Sequence, residues 1–433
     1  MISLTDILNS MHAIDTAMSA IFLVVGIFLS IIIGFPQLRY GRRFLHILSS
    51  QDLKTSTKNT ISPLQALLTA MSTSLGSGSI AGVPLAIVIG GPGALFWLVV
   101  YAFFGSVTKF AEVAFAIKYR TRAADRSIIG GPTSYLWNVH PFLAYWYGAC
   151  AMLLFAGWSG LQAKVLAEVY AKLGVNEYLT GFITAAFVLF TLLGGAKRVG
   201  KLSSMMVPVM CVSYLCACLF ILLQDISLLG QMFMLVINQA FTPTAATGGF
   251  AGATVFMAIR QGVFKSAYVT EAGVGTAAFP HALADTNSPT DQGILAMYSV
   301  AIDTFFCLIS GFVVLVTGVW TSGAACNSLI YDAFELGLPT IGPVILIFSL
   351  TLFVTGTAVG NSFNGSKSFG FFTGNRYLVT YYIFLVCMMF LGAVLQTLTL
   401  WSIMDIILPL TALPNLIGII YLCVQHRKEL INS

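Results

Sequence analysis

Two glycine-rich segments interrupt apolar stretches of this chain that are long enough to cross a membrane. They are residues 76–82 (GSGSIAG) and 270–276 (TEAGVGT). Glycine inside a helix costs about 1 kcal/mol relative to alanine, so clusters at bilayer depth predict broken helices. The freed backbone groups are tolerated there only where they line a cavity or hold a ligand. Two such breaks in corresponding positions indicate the central site of a transporter.

Ionisable residues in the same apolar stretches form a second group of candidates. Glu271 lies in the second break, Asp303 follows in the next stretch, and Lys109 and Glu112 are three residues apart. An ionisable residue at membrane depth is a functional hypothesis by default. Glu271 could bind a substrate ammonium, cap the broken helix or carry a proton, and Asp303 could relay one. We assign all four to gating or structural roles, with Lys109 and Glu112 in ion pairs.

The composition is that of an integral membrane protein. Charged residues make up 9% of the chain, against roughly 25% in soluble domains, and the mean hydropathy is +0.89. The net charge of +5 does not indicate nucleic-acid binding, because the basic residues lie in short loops. Asp6 and the absence of a basic leading region argue against a cleavable signal peptide. Cysteines lie mostly in apolar stretches, with Cys326 in a loop, so neither a disulfide framework nor a metal centre is predicted.

Apolar stretches of about 20 residues predict eleven transmembrane spans. We place them near residues 17–35, 62–90, 94–117, 142–168, 178–195, 203–223, 247–282, 293–320, 340–363, 377–397 and 402–424. Basic residues accumulate in the loops after spans one, three and five and in the C-terminal tail, which all fall on one side if spans alternate. The loop residues are Arg39, Arg42, Arg43, Lys54, Lys58, Lys118, Arg120, Arg122, Arg126, Lys197, Arg198 and Lys201. The N-terminus is therefore predicted outside and the C-terminus in the cytoplasm.

Removal of the first span leaves two sets of five, each opening with a broken helix but entering from opposite sides. This pattern predicts an inverted repeat. We divide the chain into an extra helix and loop (1–60), a first repeat (61–225), a second repeat (226–425) and a tail (426–433). The alternative is a chance alignment of two glycine clusters in a chain with 40 glycines.

Several strings together resemble one transporter family. They are AGV at 81–83, GGPGALFW at 90–97, TKFAE at 108–112, KYR at 118–120, GGFAG at 248–252, EAGVG at 271–275 and DT at 303–304. In this order they are similar to the alanine or glycine:cation symporter family of the amino acid–polyamine–organocation superfamily. The resemblance implies an all-α leucine-transporter fold with an added N-terminal helix. It also implies sodium-coupled uptake of a small neutral amino acid by alternating access, with spans 2–3 and 7–8 rocking against spans 4–5 and 9–10.

The chain departs from the family pattern at four positions. Ser79 and Thr270 each stand where the family has asparagine, Gly356 replaces a serine, and Asn361 replaces a tryptophan. Asn361 would enlarge or polarise the pocket. We therefore expect a substrate slightly larger or more polar than alanine.

The site assignments combine the breaks with this resemblance. We expect the substrate carboxylate at the first break, because a half-helix begins there and its N-terminus carries partial positive charge. The predicted substrate contacts are Gly76, Gly78, Ser79, Gln162, Thr270, Gly273, Thr357 and Asn361. The fold implies a sodium site from the carbonyls near Thr73 and Ser74 and the hydroxyl of Thr357, with Thr355 as a further candidate.

Structural explanations compete with each of these assignments. Small residues at the first break could mark a close helix crossing, and Gln162 could join two helices. Ser and Thr hydroxyls could bond carbonyls of their own helix. A proton could replace sodium, which would give Glu271 and Asp303 the coupling role.

Two other protein classes have weaker support in the sequence. The Gly-x-Ser-Gly string around Ser159 resembles that of intramembrane serine proteases, with His281 as the nearest candidate base, but a nucleophile needs its base within about 3 Å. A channel is disfavoured because the two breaks are unlike. We predict no enzyme activity, Na⁺ as coupling ion, an amino acid and the bilayer as partners, a monomer, and a location in the inner membrane.

Overall fold

The computed structural model describes residues 4–50, 60–122, 128–245, 252–323 and 326–432. The start of the predicted seventh span (247–251) and the basic residues Lys54, Lys58 and Arg126 lie outside these ranges. The fold is almost entirely helical, as predicted. In chain order the α-helices are α1 (Leu4–Ile33), α2 (Pro36–Arg39), α3 (Gly41–Ser50), α4 (Pro63–Ser74), α5 (Val83–Gly90), α6 (Ala94–Lys118), α7 (Pro132–Val139), α8 (Pro141–Ala171), α9 (Glu177–Leu192), α10 (Gly195–Leu223), α11 (Ile226–Gln239), α12 (Val255–Thr270), α13 (Ala278–Ala282), α14 (Pro289–Val316), α15 (Cys326–Gly337), α16 (Ile341–Thr373), α17 (Leu378–Val394), α18 (Thr397–Gln425) and α19 (Arg427–Asn432).

Four short elements complete the described secondary structure. A π-helix, Gly78–Gly82, leads directly into α5, and a 3₁₀ turn covers Val319–Thr321. Strands β1 (Thr121–Arg122) and β2 (Ile128–Ile129) pair in antiparallel fashion next to α6.

Among the described residues, seven helices are long and apolar enough to cross a membrane. An eighth span is the first broken pair, α4 with the π-helix and α5, which bends by 46°. Two further predicted spans are the shorter helices α9 and α17, of 16 and 17 residues. The last is the second broken pair, α12 and α13. The total of eleven spans stays a prediction.

Two expectations of loop structure were wrong, and one further helix lies between predicted spans. The basic segment after span five lies in α10, which begins at Gly195. The Arg198 guanidinium donates 2.7 Å to the Phe190 carbonyl near the end of α9. The expected loop position of Cys326 is wrong, because Cys326 begins α15. α11 follows Asp225, whose carboxylate accepts from the Leu228 N–H and caps the helix. Hydropathy averaged over a membrane-length window detects spans, but it does not detect caps and short helices.

The described helices pack in two groups with α10 and α18 between them. α6 packs against α12 and α14, and α5 joins α12. α8 packs against α16 and α17, and α9 joins α17. α1 packs on α6, α12 and α18 as the added N-terminal helix. This division matches the two sets of spans that were expected to move against each other.

The chain just before the first broken pair is hydrogen-bonded to the chain just after the second. Ile61, just before α4, forms a parallel bridge with Ala284 after α13, with hydrogen bonds of 3.1 and 2.8 Å to Leu283 and Asp285. Arg120 adds donations to the carbonyls of Ala282 and Ala284. The broken pairs therefore share one end of the bundle.

Replacement of Gly262 by alanine should destabilise the protein. Gly262 lies where α12 crosses α6, and a Cβ there would come within 2.7 Å of the Trp97 Cβ. Overpacking of this kind forces backbone shifts and costs about 1–3 kcal/mol. Thermal unfolding of the purified protein in detergent should show a lower Tm for Gly262→Ala.

The matched control is Gly230→Ala in α11, where a Cβ meets no atom within 4 Å. Its Tm should equal or exceed that of the unaltered protein, because alanine favours a helix. Equal loss of Tm in both variants would show that the α12–α6 crossing does not need a glycine.

Candidate functional site

The first break opens the chain between α4 and the π-helix. α4 ends at Ser74, and the Ser77 N–H donates 3.1 Å to the Gln162 Oε1 on α8. Gln162 thus satisfies a backbone donor that the break leaves free, which is the interhelical role weighed for it above. A π-helical turn widens the backbone, and such turns are frequent at functional sites.

Thr357 brings α16 against this break. Its hydroxyl lies 2.8 Å from the Ser72 carbonyl oxygen and 3.0 Å from that of Leu75, and its single hydrogen can be donated to only one of them. A Cβ on Gly76 would lie 2.5 Å from the Thr357 Oγ1, so the approach requires glycine at this position. Three oxygens from two elements therefore converge beside Gly76.

The second break is covered by donors from four other helices. α12 ends at Thr270, and Gly273 and Gly275 both have positive φ angles, which glycine adopts without strain. Five backbone carbonyls of the break accept side-chain hydrogen bonds. The pairs are Thr270 with Lys109 (3.0 Å), Ala272 with Tyr101 (2.8 Å), Gly273 with Asn415 (3.0 Å), Val274 with Tyr147 (3.1 Å) and Thr276 with Asn364 (3.5 Å).

Glu271 links the two breaks. Its backbone is left-handed (φ 56°), which directs the carboxylate back across the break. Its Oε2 accepts from the Thr276 hydroxyl and lies 3.5 Å from the Thr73 hydroxyl in α4, which donates to the Ala70 carbonyl at 2.6 Å. The side chain therefore braces the second break and contacts the first.

The other ionisable residues form a buried network beside Glu271. The Lys109 ammonium lies 3.6 Å from the Asp303 carboxylate, and both side chains are fully buried. Glu112 accepts from the Asn415 amide at 2.7 Å. Lys109 therefore pairs with a residue on α14, and Glu112 is held by an amide on α18.

A small cavity of about 20 Å³, room for about one water molecule, lies between the two breaks, with α8 and α16 as its other walls. Its lining consists of Thr73, Ser74, Gly76, Gly78, Trp158, Gln162, Tyr268, Val269, Glu271, Thr357 and Asn361. Its lining provides backbone, hydroxyl, amide and carboxylate groups for a polar ligand.

Most of the predicted contacts line this cavity, and three do not. Ser79, Thr270 and Gly273 lie outside the lining; the Ser79 hydroxyl instead faces the Ser74 carbonyl at 3.4 Å. Thr355 also lies elsewhere, with its hydroxyl donated to the Thr351 carbonyl of its own helix.

Sequence reasoning missed three lining residues, Trp158, Tyr268 and Val269. Trp158 is one helical turn before Gln162 on α8, a spacing that could have revealed it. The rings of Trp158 and Tyr268 meet edge to face, with centroids 5.2 Å apart. The Ser72 and Leu75 carbonyls were also missed, although they flank the predicted Thr73 and Ser74.

The model of the sodium:alanine symporter family matches residues 1–432. The chain belongs to that family. The sodium/alanine symporter AgcS of Methanococcus maripaludis is 33% identical, covering 97% of this chain and 94% of that protein. An uncharacterized transporter of Haemophilus influenzae is 34% identical, covering 94% and 90%.

A solved structure of MhsT in complex with L-phenylalanine shares the fold, with a TM-score of 0.62, 16% identity and coverage of 87% of this chain and 93% of that one. The leucine-transporter-like fold predicted from the sequence is thereby confirmed. The protein is a multi-pass secondary transporter of a sodium-coupled family and not an enzyme.

The protease hypothesis also fails on geometry. The Ser159 hydroxyl donates to the Phe155 carbonyl and lies 3.1 Å from the Ser362 hydroxyl. His281 is hydrogen-bonded to Gln292, with 2.6 Å between its Nδ1 and the Gln292 Nε2. In the part of the chain that the structure describes, this serine and this histidine thus bond to other residues and not to each other.

Replacement of Gly76 by alanine should abolish sodium-dependent uptake, because its Cβ would displace the Thr357 hydroxyl from the break. Uptake by the protein reconstituted into liposomes, with and without sodium, measures this effect. The control is Gly82→Ala, where the nearest atom to a new Cβ is 3.8 Å away, on Trp401. Full activity of Gly76→Ala would show that this close approach is dispensable.

Proposed function

We propose that this protein carries a small neutral amino acid, of the alanine or glycine type, together with sodium by alternating access. The observation that supports this best is the convergence of polar groups on a small cavity between the two broken helices. Intramembrane breaks of this kind bind charged groups of a substrate through helix ends and free backbone. The relative named as a sodium/alanine symporter agrees with this substrate class.

We place the substrate carboxylate at the first break. Gly76 and Gly78 line the cavity and have no side chains, so a ligand can approach their backbone closely. The π-helix and α5 begin there, and their N-terminal end favours an anion. We place the ammonium at Glu271 and the polar groups beside it, because five carbonyls of the second break already accept hydrogen bonds from side chains.

We place sodium between α4 and α16. Hard cations bind hydroxyl and carbonyl oxygens, and the Thr357 hydroxyl already lies within 3.0 Å of the Ser72 and Leu75 carbonyls. Thr73 and Ser74 lie between these two residues and line the adjoining cavity. An ion at this position would hold α16 against the first break only while it is bound, which couples the ion to one conformation.

The remaining assignments follow from the sequence and belong to the same proposal. The inner membrane, an outside N-terminus and a cytoplasmic C-terminus rest on the basic loops, and a monomer is the simplest working unit. The two helix groups would be the bodies that move against each other.

Uptake of radiolabelled alanine into proteoliposomes with an inward sodium gradient tests this proposal. Thr357→Val should raise the sodium concentration for half-maximal uptake about tenfold, because one oxygen ligand of the ion is lost. Thr355→Val is the control, since that hydroxyl bonds only its own helix.

Two results would contradict the assignment of the ion. Equal sodium dependence in both valine variants would remove Thr357 from the site. Uptake driven by a proton gradient alone would transfer coupling to Glu271 and Asp303, which is the alternative left open by the sequence.

The cavity wall at Asn361 predicts a substrate with some polarity in its side chain. Asn361 is 1% exposed, and its Oδ1 has no hydrogen-bond partner among the described residues. Amino acids with a hydroxyl or amide side chain should therefore compete with labelled alanine. Asn361→Leu should weaken their competition by about tenfold and leave that of alanine little changed. A panel in which only glycine and alanine compete would contradict this.

A further inference from the structure

The oxygens around the Lys109 ammonium resemble those that surround a bound cation. The Lys109 side chain is fully buried, and Nζ donates 3.0 Å to the Thr270 carbonyl and lies 3.6 Å from the Asp303 Oδ2. An unpaired charge in such surroundings would be very costly, so these oxygens neutralise it. Three helices, α6, α12 and α14, meet through this one nitrogen.

The oxygens around Lys109 are those that bind mobile cations in broken-helix transporters. Thr270 is the last residue of α12, so its carbonyl belongs to the negative end of a half-helix. Free carbonyls at such ends coordinate Na⁺ or H⁺ in this type of architecture. Asp303 adds a full negative charge, with the Lys109 ammonium and the Ser74 hydroxyl beside it.

We propose that Lys109 is a tethered cation that fills a second ion position, so that each transport cycle moves a single sodium ion. This rests on the proposed sodium site at Thr357. An ammonium on a covalent side chain gives the same charge balance with Asp303 as a sodium ion would, but it cannot dissociate into either compartment. The Thr357 site lies between different elements, α4 and α16, and stays free for the mobile ion.

A purely mechanical role for Lys109 makes a different prediction. If the ammonium only clamps α12 to α6 and α14, its loss lowers stability equally in every salt. If it fills an ion position, its loss leaves a carboxylate and a carbonyl that sodium can bind. The dependence on sodium therefore separates the two roles.

The decisive variant is Lys109→Gln, studied in proteoliposomes across a range of sodium concentrations with choline as the replacing cation. The unaltered protein and Lys109→Arg should show a Hill coefficient for sodium of about one, and Lys109→Gln should rise toward about two. The double variant Lys109→Gln with Asp303→Asn removes both charges. It should return the coefficient to about one.

A second readout does not need transport. Sodium should raise the Tm of purified Lys109→Gln more steeply than that of the unaltered protein, because a ligand that binds only the folded state stabilises it. The double variant should lose this extra stabilisation. This measurement still decides the question if the unaltered protein shows no sodium-driven uptake, a result that would contradict the proposed function alone.

Three results would overturn the inference. One is a Hill coefficient near two in the unaltered protein, and another is unchanged sodium dependence of uptake and Tm in Lys109→Gln. The third is that Lys109→Gln unfolds equally in sodium and in choline, while the double variant stays folded. That result would show that sodium cannot replace the ammonium.

Discussion

The structure depends on one constraint, which is that backbone groups freed at bilayer depth must find partners. Water is absent there, so each unpaired carbonyl would cost several kcal/mol. The second break exposes a run of carbonyls, and tyrosine, asparagine and lysine side chains from α6, α8, α16 and α18 donate to them. These donors fix the break against both helix groups. The cavity lies at the first break, because the carbonyls of the second break opposite it already accept hydrogen bonds from side chains.

The two breaks are therefore not equivalent, although both are glycine-rich and each opens one set of five spans. The second is satisfied largely by the protein, whereas the first has the Gln162 amide, the Thr357 hydroxyl and two glycines without side chains beside it. Under the proposed function, a ligand would complete the first break and add little to the second. This difference explains why Thr270 and Gly273 lie outside the cavity lining while Gly76 and Gly78 form part of it.

The charged side chain of Glu271 lies close to the contact between the two helix groups. Glu271 contacts both breaks, so a substrate ammonium beside it would act on both broken pairs. Thr357 belongs to the group of helices around α8 and α16, whereas Ser72 and Leu75 belong to the first broken pair. An ion between them would join the two groups that alternating access must separate. The Lys109 ammonium lies within one group, among α6, α12 and α14, and can stay paired throughout the movement.

The sequence by itself determined the features that depend on local chemistry. Glycine clusters in apolar stretches gave the two breaks, hydropathy gave the long spans, and the motifs gave the family. The tertiary structure decided which distant groups meet. Lys109 could have paired with Glu112, three residues along its own helix, but it reaches Asp303 on α14 because packing directs it to the end of α12. Asn415 could be recognised as a partner of the second break only in three dimensions. Helical periodicity fixes which residues share a face, whereas the neighbour of that face depends on contacts between residues hundreds of positions apart.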